Sequence, residues 1–82
     1  KPVFAQKGIY VLNPRIFGKN RNVVKMQVAD ENGASMEAVY FGESEVFLET
    51  AKEKGKLSIV YYPGINSYHG RENLQITILS YQ

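Results

Sequence analysis

The chain has 82 residues, enough for one domain with a modest core, and a domain this small is only marginally stable alone. Its hydrophobic fraction of 44% is too high for a disordered segment, and the absence of cysteine excludes both a disulfide framework and a thiolate metal site. The formal net charge is only +2, but it is unevenly spread: Lys1, Lys7, Arg15, Lys19, Arg21 and Lys25 precede the first acid, Asp30, and seven acids then face Lys52 alone up to Glu53. A basic segment draws phosphates, although the asymmetry taken by itself reads as a solvated surface. No apolar run approaches the ~20 residues of a membrane span and no signal-peptide pattern opens the chain, so the expectation is a cytoplasmic protein without a membrane partner. The start at Lys1-Pro2 reads as a piece of a longer protein.

Residues 1–6 read as an entry tail, with a single domain over 7–82. Gly8 to Phe17 is rich in β-branched and aromatic residues and reads as a first strand. Pro14 inside it removes a ladder donor and calls for an edge, a bulge or a break. Gly18 to Asn22 is a turn by composition. From Val23 to Asp30, Val24, Met26 and Val28 alternate with Lys25 and Gln27, the period of a half-buried strand. Asn32-Gly33 signals a hairpin. Ser35 to Phe41 is the partner strand, with Met36, Ala38 and Tyr40 on one face and Glu37 on the other.

Glu43 to Lys54 has the one helical composition in the chain. Glu43 and Glu45 early and Lys52 and Lys54 late suit the helix dipole, Phe47, Leu48 and Ala51 form an apolar stripe, and Gly55 stands where a C-terminal cap belongs. Lys56 to Tyr62 is the fourth strand, with Leu57, Ile59 and Tyr61 inward, and Pro63-Gly64 is expected to end it. After a loop closed by Gly70, Arg71 to Leu79 is the fifth strand, with Leu74, Ile76 and Ile78 inward. Three strands, one helix and two strands is the order of the OB-fold, an all-β barrel of five strands with one α-helix between strands 3 and 4. That fold binds oligonucleotides on the face of strands two and three, between the first–second and fourth–fifth loops. An open sheet with a helix on one face is the competing architecture.

The residues do not converge on a catalytic site. His69 is the lone histidine and lies in a glycine-bounded loop, where a surface role is the ordinary one. Glu43, Glu45, Glu49 and Glu53 spread around a solvated helix face, and Asp30-Glu31 lacks the spacing of a calcium loop. No catalytic residue, metal ligand or cofactor is therefore expected in this chain. A binding reading asks for cations mixed with aromatic and amide groups at the barrel mouth. The first–second loop and its flanks supply Arg15, Lys19, Arg21 and Lys25; the fourth–fifth loop supplies Asn66, Tyr68 and Arg71. Lys19 and Arg21 suit an ordinary polar hairpin equally well, and Arg71 suits a salt bridge to Glu72 or Glu37. Tyr40, Phe41, Phe47 and Tyr61 read as core and Phe17 as undecided. Tyr62, out of phase with the buried set, and Tyr68, at a loop tip, are candidate stacking platforms or contacts to a neighbouring domain.

Met36-Glu37-Ala38-Val39-Tyr40-Phe41-Gly42, then a helix, Ile59-Val60-Tyr61-Tyr62 and Ile65-Asn66-Ser67-Tyr68-His69-Gly70-Arg71-Glu72-Asn73-Leu74-Gln75 together resemble the C-terminal OB domain of RecJ-type exonucleases. Pro2-Val3-Phe4 resembles the segment by which those proteins enter that domain. Tyr68 stands where the family often has Trp, and His69 departs from its commoner amide. The resemblance implies a parent enzyme of DNA repair and recombination that degrades single-stranded DNA from the 5′ end. Its Asp-His-His phosphoesterase core, dependent on a divalent metal (manganese or magnesium), is absent from this chain. The implied partners are single-stranded DNA and the catalytic domains of that parent, with interdomain docking as the alternative role.

Overall fold

The computed structural model describes residues 2–82, apart from the side chain of Tyr68. The alternation read in the sequence builds five strands and one helix: β1 (Phe4–Phe17), β2 (Val23–Ala29), β3 (Ser35–Phe41), α1 (Ser44–Lys54), β4 (Leu57–Tyr68) and β5 (Arg71–Tyr81). The sheet closes as a barrel in the order β1-β2-β3-β5-β4. β3 and β5 pair in parallel, and the other neighbours are antiparallel. Closure removes free edges within the barrel wall; the β4–β5 arm beyond Tyr61 and Gln75 keeps its own open sides. The open-sheet alternative is thereby set aside.

The core takes one face of each strand: Ile9, Val24, Met26, Val28, Ala38, Leu57, Ile59, Ile76 and Ile78 are buried together. Helix α1 closes one end of the barrel with Phe47, which is 0% exposed. Its ring stacks on Tyr40 at 4.7 Å and meets the edge of Tyr81 at 4.8 Å. Gly55 caps the helix as expected, in a positive-φ conformation that lets its N–H donate to the Ala51 carbonyl at 2.9 Å. In the β2–β3 turn the Asp30 carboxylate accepts the N–H groups of Asn32 and Ala34, so Gly33 is the positive-φ residue of a three-residue loop.

Three register shifts decide which way side chains point; one lies between Gln6 and Ile9 of β1, where β4 advances only two residues. Between Leu12 and Arg15 the β1 strand advances three residues while β2 advances two, from Gln27 to Lys25. Asn13, at φ 49°, and Pro14 make up this bulge, one of the three features that Pro14 left open. The extra residue inverts the alternation. Ile16 lies opposite buried Val24, and Arg15 and Phe17 turn to the outer face. A further bulge, at Leu79 in β5, brings Tyr81 into register with Ile59 and onto the Phe47 cluster.

The structure departs from the sequence reading at four places. Phe4, Ala5 and Gln6, expected in the entry tail, already pair with Tyr61, Val60 and Ile59. β4 does not stop at Pro63-Gly64 but runs on to Tyr68, paired with β5 throughout. The β1 ladder ends at the Phe4–Tyr61 pair, so beyond it β4 is an edge, where a proline without N–H is tolerated. The expected fourth–fifth loop is thus a two-residue turn, His69-Gly70, with positive φ at both residues. Leu74, expected inside, is 53% exposed, because the β3–β5 ladder ends at Gln75 and the hairpin arm projects beyond the barrel. Phe41, expected in the core, is 62% exposed, because alternation from buried Ala38 and half-buried Tyr40 puts it on the outer face with Glu37.

Candidate nucleic-acid interface

Strand registers lay out the outer face of the barrel in rows. Arg15 of β1 stands opposite Lys25 of β2, which stands opposite Val39 of β3 and, beyond it, Thr77 of β5. One step toward the β1–β2 turn comes the row Phe17, Val23 and Phe41. One step the other way comes Leu12, Gln27, Glu37 and Gln75. Rows on one face are about 7 Å apart, twice the rise per residue of a strand.

An open groove of about 510 Å³ crosses these rows. Arg15, Lys25 and Phe17 line one side; Gln27, Glu37 and Gln75 line the other. Asn13 from the bulge, Asn66 from the β4–β5 arm, and Met26 and Ala38 between the rows complete it. Lys25 Nζ sits 5.5 Å from the centroid of the Phe17 ring, so the ring face already carries a cation beside it.

Arg15 and Lys25 form a pair that the fold alone does not favour. Like charges directly opposite on neighbouring strands repel and cost the folded state a few tenths of a kcal/mol or more. The bulge at Asn13-Pro14 is what aims Arg15 at Lys25 instead of the core. A site that concentrates two cations beside an exposed aromatic ring and several amides has the chemistry to take a phosphate and a base together.

The sequence-derived candidates divide into three groups. Arg15, Lys25 and Asn66 meet at the groove. Lys19 and Arg21 stay on the β1–β2 turn, and Arg21 Nε lies 3.5 Å from Glu45 of the helix in a solvent-exposed ion pair of small worth. Arg71 begins β5 at the far end of the arm, opposite Tyr68. It takes no part in the ion pairs Arg21–Glu45 and Lys56–Glu31. Tyr62 is half-buried on β4 opposite Thr77, and the side chain of Tyr68 lies outside the described residues. Sequence reasoning placed Gln27 and Glu37 on the outer face without assigning them to a site, left Phe17 undecided, put Phe41 in the core and did not single out Asn13 or Gln75. Nothing local could bring Gln75 beside Glu37.

Among the described residues no group of three or more His, Asp or Glu is placed to hold a metal ion, and no helix is long and apolar enough to cross a membrane. The strand order, the parallel β3–β5 closure and the helix between β3 and β4 define the class, an OB-type barrel of the oligonucleotide-binding kind. Within that class the chain matches the RecJ OB domain model over residues 1–80, and it belongs to that family. The matched residues are the OB domain of RecJ-type proteins. A comparison with curated proteins returned no match.

Proposed function

We propose that this domain grips single-stranded DNA for a RecJ-type exonuclease acting in DNA repair and recombination, with the strand seated in the groove of the outer face. The observation that carries this reading is the opposed Arg15–Lys25 pair on the groove wall. The repulsion between them is relieved when a phosphate sits between the two side chains. Phe17 offers a base a ring to stack on, and Asn66 reaches the same groove from the arm. Lys19 adds a cation on the β1–β2 turn, Arg71 one at the end of the arm, and Arg21 contributes less while it pairs with Glu45. Tyr62 serves as a further stacking group on β4.

Affinity for an oligonucleotide measured across a salt series tests this. With Arg15, Lys25 and Lys19 on phosphates, log K is expected to fall with log salt at a slope of roughly −2. Affinity indifferent to salt, or equal for duplex and single strand, rules the reading out.

A second reading has its own observation. Ile65 and Leu74 stand directly opposite on the arm, 70% and 53% exposed, a pair of large apolar groups with no core beneath them. The arm then docks the domain onto the catalytic domains of the parent protein. In the intact parent, Ile65→Ser with Leu74→Ser should loosen the domain in limited proteolysis and spare the isolated domain's DNA affinity. Proteolysis identical to wild type removes docking through this pair.

A further inference from the structure

The groove holds one group at odds with a plain phosphate track. Glu37 lines it beside Gln27 and Gln75, which are its register partners on β2 and β5. Glu37 belongs to neither of the ion pairs Arg21–Glu45 and Lys56–Glu31. A carboxylate there repels phosphates, so the backbone is kept to the Arg15–Lys25 row and the base edges turn toward the Gln27–Glu37–Gln75 row. The two rows lie about 7 Å apart, a step that lets a nucleotide span from phosphate to base.

What Glu37 does to a base follows from its hydrogen-bonding inventory. The flanking glutamines both donate and accept, so they can turn to suit any base, whereas an ionised carboxylate only accepts. The edge of cytosine presents an amino donor where thymine presents a carbonyl oxygen. The carboxylate satisfies the first and repels the second. Resting on the single-strand reading above, we infer that Glu37 makes the groove selective for cytosine and adenine, whose edge presents an amino group where thymine presents its O4 carbonyl, over thymine. The charge sign of one residue thus gives a base preference to a domain whose other contacts are indifferent to sequence.

Oligo(dC) and oligo(dT) of equal length, compared at neutral pH and one salt concentration, test this with stacking matched, since both are pyrimidines. Wild type is expected to bind oligo(dC) about three- to tenfold more tightly, the scale of one partly solvated hydrogen bond to a charged acceptor. Glu37→Gln keeps the shape, removes the charge and should bring the ratio near one, chiefly by strengthening oligo(dT) binding. Equal, salt-dependent affinity of wild type for both strands overturns the selectivity and leaves the single-strand reading standing. A preference that persists unchanged in Glu37→Gln also overturns the assignment to Glu37. Binding to neither strand overturns both readings together.

Discussion

At the scale of single residues, the proposed grip on DNA sets stability against binding at Arg15 and Lys25. Each faces a like charge across the β1–β2 pair, and on that proposal each gains a phosphate when DNA is present. Lys25→Thr removes the repulsion and places a good strand former on an exposed β position. It should raise the melting free energy by about 0.2–1 kcal/mol, weaken oligonucleotide binding and reduce the magnitude of the salt slope by about 0.7. Thermal melts and anisotropy titrations on the same sample read both effects. A variant that loses stability and keeps full affinity would show that Lys25 is a packing residue whose stem covers Phe17.

At the scale of elements, the join between β3 and the helix depends on Gly42. Its N–H donates to the Asn22 carbonyl at 2.9 Å, tying the start of the helical segment to the β1–β2 turn. A Cβ added at Gly42 would stand 2.6 Å from Tyr40 Oη and 2.8 Å from its ring carbon Cζ. The tyrosine has nowhere to retreat, because its ring is stacked on Phe47 and edged by Tyr81 at 5.4 Å. Gly42→Ala is therefore expected to destabilise the domain by about 1–3 kcal/mol, the usual cost of overpacking. Denaturant unfolding measures it, and Gly42→Ala combined with Tyr40→Phe, which removes the nearest atom, should recover part of the loss. The same aromatic cluster shows why α1 matters in a barrel this small: Phe47 fills an end that strands alone would leave open.

At the scale of the whole molecule, the closed end makes stability sensitive to alkali. Burial first, and then the neighbouring Tyr81, push the Tyr40 phenol above its ordinary value. A raised value in the folded state means that the unfolded chain releases its proton first. Stability is then level below about pH 10 and falls as pH climbs through the unfolded and then the folded value. Lys56, raised by its hydrogen bond to Glu31, changes in the same direction over the same range. Melting temperature followed from neutral to strongly alkaline pH should show this fall, and Tyr40→Phe should make it shallower. An unchanged alkaline limb in Tyr40→Phe would assign the loss to Lys56 and the other titrating groups.

Much of the barrel is local information. Alternation along Val23–Ala29 and Ser35–Phe41, the helical stripe of Phe47, Leu48 and Ala51, and the Gly55 cap each rest on residues within a few positions of one another, so the sequence by itself determined strand count, helix position and most of the core. Pro14 even marked the place of the bulge. The direction that bulge gives to Arg15 and Phe17 was not legible, because one inserted residue inverts a two-residue period and only pairing with β2 reveals it. Likewise Pro63-Gly64 breaks a strand only where both sides need N–H groups, and the open side of β4 beyond Tyr61 is a fact of barrel closure. Leu74 points along the buried phase of β5 yet lies past the last β3 contact. The groove itself gathers Arg15, Lys25, Glu37, Asn66 and Gln75 from five strands. Their meeting depends on register and on the parallel β3–β5 pair, and these are non-local terms, decided by which way of burying the apolar faces closes the sheet.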